Sequence, residues 1–540
     1  MSAMTIWGHL IMVPIVLPLM TGALLLLLQS RGPRAVPWVS GLSALLGLGV
    51  AVQLLLQADT GTVQAYLVGN WAAPFGIALA LDRLSALMVL LTAIVGLAAL
   101  VYASGGDTRR GRHFHSLLQF QLMGLNGAFL TADLFNLFVF FEVLLIASYG
   151  LLLHGSGAAR LKASVHYVSF NLAGSALFLI AVSLLYGLTG TLNMADLAQK
   201  VPLVAGDRTQ LVQSAALLLL VVFAVKAALL PLYFWLPATY GAASAPVAAL
   251  FAIMTKVGVY AILRVTTLIF GASGGAAAFV ASPWLEALAL ATLLLGAIGA
   301  VAAPHMRALL GNVVVASAGT LLLAVGLGRA DTVAAGLFYL VNSTLVAAAL
   351  FLWVDRVMAA RHAVTGVTSS AADSWKPVGL GAIRVPLGMV FFVLAVAAAG
   401  LPPLAGFLGK AWLLQAAGET PWAVLIVATV LTSSMLMMVA FSRAGSSLFW
   451  KPGAPAPTVV TPDSTWHPGH AASLGGLALL LIACAVFAGP LSRYTAAAAD
   501  QLLARQPFIA AVLGAQPVPA AIDLRREMRQ GSKDPAGAKP

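Results

Sequence analysis

Apolar runs long enough to cross a lipid bilayer recur along almost the whole chain. A helix of about 20 residues spans the roughly 30 Å hydrocarbon core. Of the 540 residues, 61% are hydrophobic and 9% are charged, whereas a soluble protein carries about 25% charged residues. The sequence therefore predicts an all-α polytopic membrane protein. We expect fourteen spans, near residues 10–29, 38–57, 78–102, 116–131, 134–153, 164–188, 211–235, 245–270, 283–302, 308–327, 333–354, 385–416, 422–441 and 471–490.

Basic residues are distributed unevenly between the loops. The loops after the first, third and fifth spans hold seven Lys or Arg, and those after the second, fourth and sixth hold two. Because positively charged loops stay in the cytoplasm, this pattern predicts an N-terminus outside and, with fourteen spans, a C-terminus outside. The basic tail, residues 493–540, disagrees, but distal charges influence topology less. The net charge of +12 is spread over loops and tail, which argues against a nucleic-acid partner.

Four ionisable residues lie inside the apolar runs: Glu142, Lys226, Lys256 and Lys410. A charged side chain at the bilayer centre costs at least about 2.5–3.5 kcal/mol. We therefore interpret these residues as proton carriers, since a Glu–Lys pair can exchange a proton when the lysine moves or becomes hydrated. The alternatives are a structural carboxyl for Glu142, a static partner role for Lys226, and a Lys410 that snorkels to the membrane surface.

Weaker polar candidates surround these four residues. Asp133 begins its span, where it either joins the relay or marks the membrane interface. Other hydroxyl, amide and imidazole groups could hydrate a path between carriers or merely bond across helices: Ser317, Thr320, Asn342 and Thr344, with His166, Asn171, Ser175 and Ser343. The sequence contains no Gly-rich phosphate loop, paired-cysteine metal motif or nucleophile constellation, so no cofactor, metal or enzymatic activity is predicted.

Two spans contain prolines beside a lysine. Pro231 and Pro237 follow Lys226 in the seventh span, and the pair at 402–403 precedes Lys410 in the twelfth. Proline removes a backbone donor and clashes with the preceding turn, so both helices should be broken. Broken helices at matching places in two halves are typical of transporters built from inverted repeats.

The position of the breaks predicts four segments. Residues 1–112 hold spans 1–3, and residues 113–272 hold a first repeat of spans 4–8. Residues 273–442 hold a second repeat of spans 9–13, and residues 443–540 hold the last span and the basic tail. Because five is odd, the second repeat is inverted relative to the first. Within the tail, Gln501 to Val512 is expected to form a short interfacial helix.

Four sequence blocks resemble the D-type component of the Mrp (Mnh, Pha) multisubunit cation:proton antiporters. They are NGAFLTADLFNLFVFFEVLLIASYGLLLHG, YVSFNLAGSALFLIAVSLLYGLTGTLNMADLA, KAALLPLYFWLPATYGAASAPVAALFAIMTKVGVYAILR and GLPPLAGFLGKAWLLQAA. The resemblance covers about residues 5–495. The third block is shared with the antiporter-like subunits of respiratory complex I, whereas FNLFVFFEVLLIASYG and GTLNMADL favour the D-type component of the Mrp antiporters.

The resemblance implies a fold, a site and partners. The fold has fourteen helices, with two inverted five-helix repeats and breaks in the seventh and twelfth. Glu142 and Lys226 would form the key ion pair, with Lys256 and Lys410 continuing the relay. The chain would sit in the bacterial cytoplasmic (inner) membrane with subunits of types A, B, C, E, F and G, and would exchange protons for Na⁺ or K⁺.

Two positions depart from the family pattern. Asn342 stands where related sequences usually have a histidine, and Ala347 stands where many have a lysine. The path between Lys256 and Lys410 therefore lacks titratable side chains, and the sequence leaves open whether water carries the proton there. Two alternatives remain: a proton-pumping subunit of an NADH:quinone oxidoreductase or membrane hydrogenase, and a scaffold subunit that does not transport.

Overall fold

The computed structural model describes residues 8–365, 375–378, 380, 384–450 and 467–517. In this part of the chain nineteen α-helices are present, together with one two-stranded antiparallel hairpin, β1 (Gln64–Leu67) and β2 (Ala78–Leu81). The helices are α1 (Val13–Arg31), α2 (Val36–Asp59), α3 (Arg83–Ala103), α4 (Phe114–Leu130), α5 (Leu134–Leu153), α6 (Ala158–Thr189), α7 (Met194–Lys200), α8 (Thr209–Ala227), α9 (Trp235–Ala242), α10 (Ala245–Leu268), α11 (Ser282–Ala302), α12 (Met306–Gly326), α13 (Ala330–Thr365), α14 (Arg384–Ala399), α15 (Ala405–Ala417), α16 (Ala423–Gly445), α17 (Pro468–Val486), α18 (Ala488–Leu503) and α19 (Arg505–Leu513).

The helices reproduce the predicted spans. Within the described residues, twelve helices are long and apolar enough to cross a membrane. The fourth span is α4, which has 17 residues, and the twelfth is divided between α14 and α15. With these two, helices occupy all fourteen of the expected spans among the described residues. The polytopic all-α fold is therefore confirmed, whereas the segment boundaries at residues 112, 272 and 442 stay a prediction.

Both predicted helix breaks are present. The seventh span stops at Ala227, where Ala228 adopts a left-handed conformation (φ 57°), and helix resumes in α9. The twelfth span stops at Ala399, and Gly400 (φ 76°) turns the chain before α15. Each break comes within a few residues of the prolines that predicted it, because proline cannot donate to the preceding turn.

The C-terminal helices return to the end of the bundle that carries the β-hairpin, called here the hairpin end. The Tyr494 hydroxyl of α18 donates to the Arg83 carbonyl (2.9 Å), and the Gln501 amide donates to the Gly61 carbonyl (3.0 Å). The expected single helix from Gln501 to Val512 is wrong, because α18 ends at Leu503 and α19 begins at Arg505. The helix starts earlier because its buried face repeats at helical spacing, at Thr495, Ala498, Ala499 and Leu502.

A buried ion pair stabilises the hairpin end. Arg264 near the end of α10 donates to both carboxylate oxygens of Asp82, at 2.5 and 2.9 Å. The guanidinium also lies over the rings of Tyr260 and Phe508. Asp82 in turn caps α3 by accepting from the Ser85 backbone N–H (2.8 Å). The pair thus joins α3, α10 and α19, and removing one partner would leave a buried charge without compensation.

The opposite end of the bundle holds a larger charge cluster. The Tyr102 hydroxyl donates to Asp355 (2.8 Å), and Arg356 bonds both Asp355 (2.5 Å) and Tyr102 (2.7 Å). Asp107 lies nearby in the loop after α3, where it is 4% exposed and pairs with Arg110 (3.2 Å). We call this the Asp107 end. It joins α3, α13 and the loop between α3 and α4.

The buried Asp107 carboxyl gives a testable pH dependence. Burial, reinforced by the Asp355 carboxylate, raises the pKa of Asp107 from 3.8 to about 6. Between these values the folded protein keeps a proton that the unfolded chain has released, so stability falls as pH rises through this window. Asp107→Asn should therefore stabilise the protein at pH 7.5 by up to about 3 kcal/mol, with little effect at pH 4.

Thermal unfolding of the purified complex at pH 4, 5, 6 and 7.5 measures this difference. The exposed carboxylate of Asp207 provides the matched control, and Asp207→Asn should leave the profile unchanged. An Asp107→Asn effect of equal size at every pH would contradict the assignment.

Candidate functional site

The first group of predicted site residues lies between α5, α6 and α8. Glu142, half-buried on α5, accepts a short hydrogen bond from the Ser175 hydroxyl of α6. Lys226, buried at the end of α8, donates to the Asn171 amide oxygen (3.0 Å). Asn171 donates in turn to the Tyr167 carbonyl (2.8 Å), which fixes the direction of its amide.

Glu142 and Lys226, which the resemblance implies as an ion pair, do not contact each other directly. Among the described ion pairs none joins Glu142 to Lys226 within 4.0 Å. Instead the two residues bond Ser175 and Asn171, which lie four residues apart and hence about one turn apart on α6. The Lys226 ammonium also lies 5.7 Å from the centre of the Phe141 ring. Glu142 and Lys226 are not in direct contact because α6 presents two neutral polar groups between α5 and α8.

Protein side chains bond the backbone groups that the break after Lys226 leaves without helical partners. The Trp235 indole donates to the Val225 carbonyl (3.1 Å), and the Thr292 hydroxyl of α11 accepts from the Leu230 N–H (2.9 Å). A membrane tolerates irregular backbone only where such partners or water replace the missing bonds. Gly258 lets α10 approach closely, since a Cβ there would lie 2.4 Å from the Ala227 nitrogen.

A small cavity adjoins the Lys226 ammonium. Its volume of about 10 Å³ is close to that of a single water site. The amide of Asn171 and the ammonium of Lys226 supply polar groups that such a water needs. The cavity is lined by Phe141, Leu144, Leu145, Tyr167, Asn171, Lys226, Trp235, Met254 and Val257.

Lys256 occupies the centre of the bundle on α10. It is 0% exposed, and its ammonium donates to the Ser317 hydroxyl of α12 (3.1 Å). Ser317 donates its own hydroxyl proton to the Val314 carbonyl (2.8 Å). Thr320, one turn further along α12, bonds the Ala316 carbonyl of its own helix (3.2 Å). Ser317 is therefore the predicted secondary residue that contacts Lys256.

Lys410 lies at the second break. Its ammonium donates to the Ala399 carbonyl (3.0 Å), which ends α14, and to the Ser434 hydroxyl of α16 (2.9 Å). The side chain is 6% exposed, so snorkelling to the surface is excluded as its resting position. Gly400 makes room for it, because a Cβ there would lie 3.0 Å from the Lys410 nitrogen.

Asn342 approaches the same break from α13. Its amide nitrogen lies 3.4 Å from the Ala397 carbonyl, and its amide oxygen has no hydrogen-bond partner among the described residues. Asn342 therefore helps to satisfy the broken end of α14. Thr344, by contrast, bonds the Leu340 carbonyl of its own helix (2.7 Å).

Two other candidates lie away from these groups. Asp133 caps α5 by accepting from the Asn136 backbone N–H (2.8 Å), which is the role expected at the start of a span. His166 is exposed on the outside of α6. A part for either residue in transport stays a prediction.

The structure thus arranges the titratable residues in three groups. Glu142 and Lys226 share α6, Lys256 bonds α12, and Lys410 lies beside Asn342 at the second break. The described hydrogen bonds do not connect one group to the next. Ser434 was not predicted from the sequence, although its place in the apolar α16 was a signal that could have identified it.

Comparisons with known proteins agree with this architecture. A family model described as "NADH:quinone oxidoreductase/Mrp antiporter, TM" matches residues 131–436. The chain is 43% identical over 534 residues to a probable K(+)/H(+) antiporter protein of the D type from Rhizobium meliloti (strain 1021), covering 93% of this chain and 97% of that protein. It is 37% identical over 514 residues to the D-type Na(+)/H(+) antiporter protein of Bacillus subtilis (strain 168), covering 94% and 99%.

A solved structure gives the same result for the fold. A chain in the structure of the Mrp complex from Dietzia sp. DQ12-45-1b superimposes with a TM-score of 0.83 at 28% identity, covering 94% of this chain and 100% of that one. These matches extend over more than nine tenths of both partners. The chain belongs to the NADH:quinone oxidoreductase/Mrp antiporter transmembrane family.

Proposed function

We propose that this chain is the proton-translocating D-type component of a multisubunit Na⁺/H⁺ or K⁺/H⁺ antiporter. The observation that carries the proposal is the bonding of its buried lysines. Lys226, Lys256 and Lys410 each donate to neutral oxygen atoms, and none of the three has a carboxylate within 4.0 Å among the described ion pairs. Relatives named as D-type antiporter components support the same function.

Neutral partners suit a proton carrier. A carboxylate in direct contact would stabilise the charged lysine and oppose loss of its proton. An amide or hydroxyl oxygen accepts a hydrogen bond from an ammonium and from a neutral amine alike. Each lysine can therefore keep its hydrogen bond while its charge changes, which is the property required of a group that gives and receives protons.

In the proposed mechanism protons move laterally at mid-membrane. Glu142 exchanges a proton with Lys226 along the side of α6 that carries Ser175 and Asn171. Lys256 and Lys410 then carry the proton into the second repeat. Asn342, Ser317, Thr320 and Thr344 would orient water between the last two carriers, and Asp133 would lie at the outer mouth. The N-terminus is placed outside a bacterial inner membrane, because the odd-numbered loops are the basic ones.

The chain is expected to act only with its partner subunits. The test is proton exchange in everted vesicles from an antiporter-deficient host that expresses the whole complex. Adding Na⁺ or K⁺ should dissipate a preformed pH gradient, and the two cations should be compared directly. The same complex without this chain provides the control. Assembled complex that gives no exchange with either cation would contradict the proposal.

The second candidate is a proton-pumping subunit of a redox enzyme, because the matching family model also covers NADH:quinone oxidoreductases. In that case proton movement would require an electron donor and would be independent of added Na⁺ or K⁺. The vesicle experiment distinguishes the two, since it contains a cation gradient and can be run without any electron donor.

A further inference from the structure

A cavity opens on the lateral surface of the bundle between α11, α12 and α16. Its volume is about 360 Å³, within the range of about 300–1,000 Å³ that is typical of ligand-binding pockets. The cavity beside Lys226, by comparison, holds about 10 Å³. Glu286 is the charged residue of the lining, and the relay proposed above does not use it. The lining residues are Pro283, Glu286, Ala287, Leu290, Leu323, Trp422, Leu425 and Ile426.

The cavity lies at the depth of lipid headgroups, at the hairpin end of the bundle. The helix α11 follows the loop after α10, and the end of α10 carries the Arg264–Asp82 pair of the hairpin end. Glu286 is the fifth residue of α11, hence about 6 Å from the start of that helix. Trp422 immediately precedes α16 and is 57% exposed, and Trp284 in the first turn of α11 is 60% exposed. Exposed tryptophans at span ends mark the membrane–water interface.

Glu286 has no cationic partner among the described residues, where no hydrogen bond or ion pair involves its carboxylate. Arg329, in the loop after α12, is already engaged by Asp331 (3.1 Å) and Glu419 (2.6 Å). This end of α11, α12 and α16 therefore carries an excess of carboxylate charge. Because the Glu286 side chain is half-buried, its carboxylate gives up part of its hydration. An occupant that brings a positive charge is favoured.

Trp422 and the apolar walls offer two other kinds of contact. The indole N–H of Trp422 can only donate, and no acceptor among the described residues bonds it. Leucine and isoleucine side chains form the inner walls of the cavity. Further along α16, Leu431, Met435 and Met438 are exposed and share one helix face, called here the α16 row. An occupant with a positive group, an acceptor and an apolar chain would match all of these features.

We propose that this cavity binds one aminophospholipid of the phosphatidylethanolamine type. The primary ammonium pairs with the Glu286 carboxylate, and the Trp422 N–H donates to a phosphate or ester oxygen. The acyl chains lie against the inner walls and the α16 row. The large side chains of that row favour lipid over a partner helix, because helices that associate in membranes use small residues for close approach. The inference concerns lipid binding and does not depend on the proposed antiporter activity.

Equilibrium binding of radiolabelled lipids to the purified, delipidated whole complex tests the site without any gradient. The probes are phosphatidylethanolamine, phosphatidylcholine and phosphatidylglycerol with identical acyl chains, in detergent micelles. Phosphatidylethanolamine should bind most tightly at this site. Phosphatidylcholine should bind less tightly because its quaternary ammonium has no N–H, and phosphatidylglycerol should bind least because it has no positive charge. Glycerophosphoethanolamine, the headgroup without acyl chains, should compete poorly, which distinguishes a lipid from a free amine.

Three variants test the contacts separately. Glu286→Gln keeps the size of the side chain but removes its charge, and it should weaken phosphatidylethanolamine binding at this site about tenfold. Glu286→Lys reverses the charge and should reverse the preference, so that phosphatidylglycerol binds more tightly than phosphatidylethanolamine. Trp422→Phe keeps an aromatic ring but removes the N–H, and it should weaken binding by a smaller factor than Glu286→Gln. It also provides a second reading if a Glu286 variant reduces assembly.

Matched controls are available at the hairpin end. Asp207→Asn removes an exposed carboxylate, and Trp71→Phe changes a tryptophan that is as exposed as Trp422. Both should leave the binding of all three lipids unchanged. Wild-type complex that binds the three lipids equally would overturn the assignment. So would assembled Glu286→Gln and Trp422→Phe complexes that bind phosphatidylethanolamine as tightly as wild type.

Two other roles for Glu286 predict different results. If a basic side chain of a partner subunit occupies the cavity, Glu286→Gln should lower the yield of co-purified subunits and leave lipid binding unchanged. If Glu286 is a further proton carrier, Glu286→Gln should abolish cation-driven exchange and again leave lipid binding unchanged. Either result would overturn the lipid assignment. If wild-type complex shows no exchange but Glu286→Gln still weakens phosphatidylethanolamine binding, the antiporter proposal fails and the lipid site stands.

Discussion

Lys226→Ala should abolish cation-driven proton exchange, lowering the rate at least a hundredfold, while the complex still assembles. The lysine ends α8 at the first break, bonds Asn171 and adjoins a water-sized cavity. Alanine removes the titratable group that would exchange a proton with Glu142 in the proposed relay. The break itself should persist, because Trp235 and Thr292 satisfy its backbone groups. The rate is measured in everted vesicles, and assembly is measured by the yield of co-purified subunits.

A second substitution at Lys226 distinguishes a proton carrier from a fixed positive charge. Arginine keeps the charge but does not deprotonate in proteins. Lys226→Arg should therefore be as inactive as Lys226→Ala. If the arginine complex exchanges at a normal rate, Lys226 acts only as a static charge. Lys162→Ala, which changes an exposed lysine at the start of α6, is the control and should exchange normally.

Glu142→Gln should also lower the rate of cation-driven proton exchange at least a hundredfold while the complex still assembles. Glutamine has nearly the same shape and can still accept the hydrogen bond that Ser175 donates to Glu142. It cannot release a proton, so only the titration is removed. Exchange activity and subunit yield are measured as for Lys226. Normal exchange by the assembled Glu142→Gln complex would show that the carboxyl is structural.

A double variant sharpens the interpretation of Glu142. If Glu142 and Lys226 serve one proton-transfer step, Glu142→Gln combined with Lys226→Ala should be no worse than either alone. Ser175→Ala should slow exchange without abolishing it, since it removes the hydrogen bond to Glu142 and leaves the carboxyl in place. Multiplied losses in the double variant would place the two residues in separate steps.

The sequence predicted the fold because its strongest signals are local. Each apolar run is long enough to identify one helix by itself, and the prolines after Lys226 and before Lys410 identify the breaks. The predicted interfacial helix, Gln501 to Val512, was misplaced because α18 is defined by small buried residues, Ala498 and Ala499, whose pattern is weak in a tail rich in alanine. Composition alone does not show where such a helix begins.

The partners of the site residues could not be predicted in the same way. Lys226 bonds Asn171 across 55 positions, and this depends on how α6 and α8 are rotated against each other. Lys410 bonds a backbone carbonyl, a group that every residue has and that no sequence pattern marks. Arg264 and Asp82 lie 182 positions apart, and each looks like an ordinary residue near a span end. Such contacts are products of tertiary packing.

The contact between Lys410 and the Ala399 carbonyl has a consequence for rate. If the lysine swings away, the end of α14 loses a hydrogen bond in a buried place, at a cost of about 1–3 kcal/mol. A water molecule that takes the vacated position would offset most of that cost. Side-chain movement and wetting of the second half then become a single concerted event. Lys410 should accordingly leave the Ala399 carbonyl more readily when water reaches the broken helix.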